Sequence, residues 1–176
     1  MPRWLLIATL VILGGVMTAC TEERNIKSSS LDLATPQSDP VLEIIGSLTN
    51  RNSENGAQFD MEMLRALPAV TIETHTSVTD GVKRFEGFLV RDLLKSLGAA
   101  GKVIRASAIN DYTVEIPMSD LERFDVIVAH SMDGEPLSPH DKGPLWIVYP
   151  RDQHPELQDI RYDYRWVWQL NVLDVQ

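Results

Sequence analysis

The stretch from Thr71 to Ala99 constrains the fold more than any other, because it holds three kinds of pattern in succession. Residues 69–72 predict a short strand. Residues 74–87 are rich in hydroxyl groups and predict a polar loop, with Gly81 and Gly87 as turn points. Leucines at helical spacing then predict an amphipathic helix; they are Leu89, Leu93, Leu94 and Leu97. We expect a ligand site in the loop.

The rest of the chain predicts one α+β domain with mixed strand directions over residues 41–176. With 176 residues and 44% hydrophobic composition, the chain can bury one core of ordinary domain size. Further strands are predicted over residues 41–48, 102–108, 112–116, 124–129, 145–149 and 166–175. Asp60 is expected to cap a short helix over residues 61–67, and Ser119 a single helical turn around Leu121. Turns and loops are predicted over residues 51–56, 132–135, 136–144 and 151–164.

Residues 1–20 have the composition of a signal peptide for export. A continuous apolar run over residues 4–16 is too short to span a bilayer, and small residues follow up to Cys20. The end of the run resembles a bacterial lipobox, so we expect lipidation of Cys20, which would hold the domain at a membrane surface. Ordinary cleavage near Ala19 would instead leave a soluble periplasmic protein. Residues 21–40, rich in Ser, Thr, Asp and Pro, predict a flexible tether.

Charge and cysteine content argue against several classes of protein. The formal net charge is −9, which argues against binding nucleic acid through its phosphates. Cys20 is the only cysteine, so the folded body can form neither a disulfide nor a thiolate metal site. No metal-ligand spacing links the histidines, which makes a zinc site unexpected; they are His75, His130, His140 and His154. No nucleophile elbow is present, so no catalytic residue is assigned.

Two polar groups carry candidate binding chemistry. Asn110, Asp111 and Tyr112 place an amide, a carboxylate and a phenol at a turn between strands. The alternative, which the pattern favours, is an Asx turn in which Asn110 or Asp111 bonds its own backbone. Lys142 beside Gly143 could meet an anion, although a solvated lysine is the ordinary case.

The last predicted strand carries two indoles on one face. Trp166 and Trp168 alternate with Arg165 and Val167, so the two pairs point to opposite sides of the strand. Two indoles on one face either anchor a core or wall a planar ligand by stacking. Core packing is expected for at least one of them.

Four stretches, in this order, resemble the molybdopterin-binding domain of the sulfite oxidase family: FEGFLVRDLLKSLGA, RASAINDYTVEIPMSDL, DGEPLSPHDKGPLWIVYP and RWVWQLNVLDV. The resemblance covers residues 41–175 and implies the mixed-sheet α+β fold of that family, with a pterin pocket. In catalytic members a cysteine after the central strand ligates molybdenum, whereas this chain has Thr74, His75 and Thr76 at that place. Because a threonine hydroxyl cannot replace a soft thiolate, neither molybdenum nor redox catalysis is expected.

The chain is further similar to a cysteine-lacking subgroup, the periplasmic pterin-binding regulators of the PruR type. This resemblance implies a protein that binds a pterin without molybdenum. It also implies control of the periplasmic sensor region of a membrane diguanylate cyclase/phosphodiesterase. Thr79 and Gly81 match the pattern of the subgroup as well. The residues that the resemblance implies for pterin binding are Thr74, His75, Thr76, Asp80, Asn110, Asp111, Tyr112, Lys142, Gly143, Arg165, Trp166 and Trp168.

The chemistry of a pterin suggests roles for several of these side chains. A pterin is a flat ring with a guanidine-like edge, so one carboxylate that accepts two N–H bonds would recognise it. Asp111 is the first choice for that carboxylate and Asp80 the second. An aromatic side chain would cover a ring face and a cation would meet the carbonyl or a side-chain anion; the candidates are Trp166, Trp168, Tyr112, Arg165 and Lys142.

Two other functions stay open at this point. One is a molybdenum oxidoreductase that uses an atypical or solvent ligand in place of cysteine, and its metal content would reveal it. The other is a non-catalytic interaction lipoprotein that has kept the fold and lost the pocket. The absence of any bound small molecule would favour that second alternative.

Overall fold

The computed structural model describes residues 33–176, whose strands form two sheets. The first sheet contains β1 (Leu42–Gly46), β2 (Gly56–Phe59), β5 (Val103–Ala108), β6 (Thr113–Pro117) and β10 (Leu170–Val175), in the spatial order β2-β1-β10-β5-β6. The second contains β3 (Val70–Thr74), β4 (Lys83–Leu89), β7 (Ile127–Met132), β8 (Glu135–Pro136) and β9 (Trp146–Val148). β1 and β10 are parallel and the other pairs are antiparallel, so the predicted α+β class with mixed strand directions is confirmed.

Short helices connect these strands. They are α1 (Met61–Arg65), α2 (Val90–Ser96), α3 (Met118–Arg123) and α4 (Ile160–Asp163), with single 3-10 turns at Arg151–Gln153 and Pro155–Gln158. Asp60 caps α1 as predicted, because its Oδ1 accepts the Met63 N–H at 2.9 Å. The predicted leucine helix is also confirmed as α2, with Leu93 and Leu94 buried, although Leu89 ends β4 and Leu97 is the C-cap.

One continuous core draws on both sheets and on the helices packed against them. Alternate residues of β1 and β5 enter it, among them Leu42, Ile44, Ile104 and Ala106. Residues 145–149 are buried without interruption, as a continuous apolar run predicts for a strand covered on both faces. This buried run supports the site described below.

The predicted polar loop over residues 74–87 is wrong in its second half, since β4 begins at Lys83. β4 pairs with β3 in a hairpin whose last partners are Thr74 and Lys83, so the true loop covers residues 75–82. The strand escaped the sequence pattern because its buried positions include a glycine, Gly87, and most of its other positions are charged. A Cβ on Gly87 would lie 2.0 Å from the Val128 carbonyl oxygen, so β7 approaches too closely for a side chain.

Several element boundaries also differ from the predictions. β2 was missed, because four residues are too few to show a period, and its first residue falls in the predicted turn. β7 covers residues 127–132 instead of 124–129. The apolar run over residues 124–129 has no polar–apolar alternation, so it did not show where the strand begins. α3 begins at Met118 with Pro117 at its N-cap and no capping side-chain bond, so Ser119 is not its cap.

The predicted last strand over residues 166–175 forms only from Leu170. Gln169 has φ 52, which interrupts the extended chain, and Trp168 makes a single isolated bridge with Trp146. Residues 166–168 therefore form an irregular segment beside β9. This segment carries both indoles that the sequence singled out.

Residues 33–40 have no helix or strand, but they are bonded to the domain. The Asp60 Oδ2 atom accepts the N–H groups of Gln37 at 2.8 Å and Ser38 at 3.1 Å. The predicted signal segment, Cys20 and most of the predicted tether lie outside the described residues. Over residues 33–176, none of the helices has the length and apolar character needed to cross a membrane.

We predict that Asp60 makes the folded state sensitive to acid. The N–H groups of Met63 and then Gln37 stabilise its carboxylate and hold its pKa below the ordinary value of 3.8. Such a group stabilises the fold above the unfolded pKa, and this contribution is lost as pH falls through the folded pKa. The variant Asp60→Asn keeps a capping oxygen without the charge. Its urea midpoint should therefore fall less steeply than that of the wild type between about pH 5 and pH 2; equal slopes would contradict the prediction.

Candidate functional site

A cleft of about 440 Å³ opens where three loop segments meet. The first is the β3–β4 loop, the second is the turn between β5 and β6, and the third runs from α4 to the irregular segment beside β9. A volume of this size suits a small bicyclic ligand. The cleft is lined by Ser77, Val78, Asn110, Tyr112, Ile160, Asp163, Tyr164, Trp166 and Trp168.

The β3–β4 loop is held in shape by its threonines. The Thr76 hydroxyl accepts the Val78 N–H at 3.1 Å and lies 2.8 Å from the Thr79 hydroxyl. Thr76 is buried, whereas Ser77 and Val78 face the cleft. Thr76, predicted to bind ligand, therefore shapes the loop that presents Ser77 and Val78.

Thr74 and His75 lie at the start of the same loop and outside the cleft lining. The buried Thr74 hydroxyl accepts the Asp152 N–H at 3.1 Å. The Asp152 carboxylate in turn accepts a hydrogen bond from the His75 backbone N–H at 2.9 Å. The same oxygen lies 2.8 Å from the Nδ1 atom of the His75 ring. Burial tends to raise the pKa of Asp152, but the two bonds to His75 and the nearby charges of His75 and Arg151 together lower that pKa. The contacts join the loop to the 3-10 turn at 151–153.

The turn between β5 and β6 is an Asx turn that also lines the cleft. The Asn110 Oδ1 accepts the Tyr112 N–H at 3.2 Å, which is the alternative that the sequence favoured. Both residues still face the cleft. The Tyr112 hydroxyl donates to the Tyr164 carbonyl at 2.7 Å and so connects this turn to the third segment. Asp111 is exposed at φ 66 and does not line the cleft.

The two indoles have different environments, although both line the cleft. Trp166 is 6% exposed and Trp168 is 37% exposed. Both rings pack edge-on against the fully buried Trp146, with ring centroids 6.1 and 6.4 Å away, respectively. Trp166 also stacks on Tyr149 at 6.4 Å. Trp166 therefore anchors the core, as expected for at least one indole, and Trp168 forms an accessible wall.

Behind Trp166, a buried carboxylate fixes the chain. The Asp120 carboxylate accepts a hydrogen bond from the Tyr149 hydroxyl at 3.0 Å and forms an ion pair with Arg165. Burial, and then the nearby charge of Asp120, raise the pKa of the Tyr149 phenol well above its ordinary value. The Arg165 guanidinium also lies over the Tyr162 ring at 4.8 Å. Arg165 is engaged in these contacts and does not line the cleft.

The other predicted residues also lie outside the cleft lining. The Lys142 ammonium group lies 2.9 Å from the Asp141 carboxylate. A Cβ on Gly143 would lie 2.2 Å from the Leu137 carbonyl oxygen, so Gly143 serves a close backbone approach. Asp80 is exposed in the β3–β4 loop. Of the predicted set, the structure brings together Asn110, Tyr112, Trp166 and Trp168.

The carboxylate that does line the cleft is Asp163, which the sequence analysis missed. Its Oδ1 atom lies 3.4 Å from the Arg151 Nε, and their side chains are 21% and 23% exposed. Neither atom has a hydrogen-bond partner among the described residues. Trp166 Nε1 is buried without a partner there as well. The only signal in the sequence was an acidic residue between tyrosines, Tyr162 and Tyr164, inside a region predicted as a loop.

These groups fit a pterin ring better than a molybdenum centre. The cleft offers aromatic walls, one carboxylate, an amide and a hydroxyl, and the buried Trp166 Nε1 beside it has no hydrogen-bond partner among residues 33–176. Residues 33–176 contain no cysteine, so they offer no thiolate ligand to molybdenum. Within the same residues, no three His, Cys, Asp or Glu side chains form a group that could hold a metal ion.

A comparison with protein families assigns most of the described residues to one family. The family model described as "Oxidoreductase molybdopterin binding domain" matches residues 42–153, which is more than half of the chain. The matched residues include β1 to β9 and two of the three cleft segments. The third cleft segment, residues 160–168 with α4, lies after the matched residues. No curated protein matches the chain.

We predict that Asp120→Asn destabilises the domain by about 3 kcal/mol, because it leaves the partly buried Arg165 without its counter-ion. The matched control is Glu156→Gln, which breaks the exposed ion pair with Arg123 and should cost less than about 1 kcal/mol. Urea unfolding measures both variants. Equal losses of stability would show that burial does not strengthen the Asp120 interaction.

Proposed function

This chain belongs to the oxidoreductase molybdopterin binding domain family, and from that premise we propose that it binds a pterin without molybdenum and acts as an exported regulator. The family supports pterin binding in general, and the mixed α+β fold is consistent with a sulfite oxidase-type domain. The domain then acts as a ligand-binding module that carries out no reaction.

The observation that carries the proposal is the pairing of aromatic walls with the carboxylate of Asp163 in one cleft. The guanidine-like edge of a pterin presents two N–H groups on one side, which a single carboxylate accepts with charge assistance. Asp163 lines the cleft, whereas Asp111 and Asp80 do not, so we assign this role to Asp163. The unpartnered Trp166 Nε1 supplies a donor for a ring acceptor.

The remaining cleft residues suit the faces and outer edge of such a ring. Trp168 and Tyr112 are both partly exposed and aromatic, so they offer surfaces for stacking. Asn110 and Ser77 add an amide and a hydroxyl to the lining. Stacking from the side and hydrogen bonding at the edge together explain why a flat, polar heterocycle is the proposed ligand.

The regulatory part of the proposal rests on the sequence. The export signal over residues 1–20 and the lipobox-like Cys20 would place the domain in the periplasm at a membrane surface. There it would control a membrane diguanylate cyclase/phosphodiesterase through that enzyme's periplasmic sensor region. Such control requires the sensor region to bind the pterin-loaded and empty forms with different affinities.

The test of the proposed function is the content of the protein itself. Residues 21–176, exported and purified from the periplasm, are expected to release a pterin that fluoresces after oxidation, without stoichiometric molybdenum. Pterin with stoichiometric molybdenum would instead support an oxidoreductase with a ligand other than cysteine. Absence of both pterin and metal would contradict the binding function.

We predict that Asp163→Asn lowers the affinity for neopterin by about tenfold or more, because a charge-assisted bond is lost. The matched control is Asp111→Asn, an exposed carboxylate outside the cleft, which should bind neopterin as the wild type does. Quenching of tryptophan fluorescence measures both affinities, and circular dichroism checks that both variants fold. A loss confined to Asp111→Asn would restore the first choice made from the sequence.

A further inference from the structure

A second depression, of about 380 Å³, is formed by β4, β7 and β8 together with the end of α1. It is lined by a guanidinium, a carboxylate, an imidazole and a hydroxyl; these belong to Arg65, Glu86, His130 and Ser131. The rest of the lining is small and consists of Ala69, Gly134 and Pro136. The depression shares no lining residue with the cleft, so it is a separate candidate site.

The pairing of β4 with β7 brings three of these side chains together. Glu86 lies opposite Ser131, whereas the next residue, Gly87, lies opposite Ala129. His130 is therefore the extra residue of a β-bulge. In a regular strand His130 and Ser131 would point to opposite faces of the sheet, but here both line the same depression. The bulge thus turns the imidazole toward the carboxylate and the hydroxyl.

The polar side chains of the depression have no partners within the domain. Among residues 33–176, neither Arg65 nor Glu86 forms an ion pair. Within the same residues, none of the four polar side chains makes a hydrogen bond. Elsewhere on this sheet, by contrast, Lys83 pairs with Asp133 at 3.0 Å. A ligand can therefore engage the charges of the depression without breaking an existing contact.

The depression contains one positive and one negative charge at neutral pH. Burial is the largest influence on His130 and lowers its pKa below the ordinary value of 6.5, so the imidazole is neutral there. The remaining charges are those of Arg65 and Glu86. A simple anion would be repelled by Glu86 and a simple cation by Arg65. A molecule that carries both charges meets neither repulsion.

We propose that this depression binds a free α-amino acid, whose carboxylate meets Arg65 and whose ammonium group meets Glu86. Both charged side chains act electrostatically on the same imidazole, so they lie close together, and an α-amino acid carries its two charges on one carbon. The Ser131 hydroxyl and the neutral His130 complete the hydrogen bonds, and the small lining residues leave room for a side chain. The proposal does not depend on a pterin in the cleft.

The test removes each charge from the protein and from the ligand. Arg65→Gln and Glu86→Gln each remove one charge from the depression and keep a polar side chain. The matched controls are Arg84→Gln and Glu73→Gln, at exposed positions of the same sheet outside the depression. The probes are the proteinogenic L-amino acids, added one at a time to residues 21–176 and followed by chemical-shift titration. For the tightest binder, the amide then removes the carboxylate charge and the N-acetyl derivative removes the ammonium charge.

The expected result is that an amino acid binds the wild type and that each derivative binds about tenfold or more weakly. Arg65→Gln and Glu86→Gln should each weaken binding of the amino acid by a similar factor, while both controls bind as the wild type does. Arg65→Gln should leave the affinity for the amide unchanged, because the amide lacks the carboxylate that Arg65 meets. Glu86→Gln should likewise leave the affinity for the N-acetyl derivative unchanged.

Three results would overturn the inference. These are failure of every amino acid to bind the wild type, wild-type affinity in both depression variants, and equal losses in the depression variants and the controls. Circular dichroism checks that all four variants fold. Neopterin affinity, measured on the same samples, should not change in any of them, so failure of this inference leaves the proposed function standing. A wild type that binds an amino acid but no neopterin would contradict the proposed function alone.

Discussion

The ion pair between Asp120 and Arg165, together with the Tyr149 hydroxyl, is the interaction on which the cleft depends. Asp120 belongs to α3, Tyr149 follows β9, and Arg165 precedes Trp166, so three distant parts of the chain meet at one carboxylate. Burial keeps the Tyr149 phenol protonated and able to donate. A buried ion pair adds little net stability because both charges lose water, but its geometry is demanding. Its main effect here is to fix where Trp166 stands.

The sequence predicted those parts of the fold whose periodicity is local. The leucines of α2, the cap at Asp60 and the alternation in β5 and β6 each report a structure formed by neighbouring residues. β4 was hidden because Gly87 occupies a position where the backbone of β7 approaches closely. That reason lies in a strand about forty residues away and has no trace in the local pattern. Long-range pairing is what a single sequence shows least.

The same division holds for the cleft. Asn110, Tyr112, Trp166 and Trp168 were found because amides, phenols and indoles at turns or strand ends are unusual enough to notice. Arg165 and Lys142 looked equally suitable, but their charges meet Asp120 and Asp141. The partner of Arg165 is remote in sequence, so no spacing argument could reveal it. Asp163 was passed over for the opposite reason, since a short helix carries it into the cleft from a region that read as an irregular loop.

The bond between the Tyr112 hydroxyl and the Tyr164 carbonyl has a consequence for residence time. It links the second and third cleft segments, so those segments must separate there if the mouth is to widen. A single neutral hydrogen bond is worth about 1 kcal/mol, which slows such a separation by less than about tenfold. Retention of an occupant is therefore set by how well the cleft walls hold it. The hydrogen bond therefore does not by itself trap a molecule in the cleft.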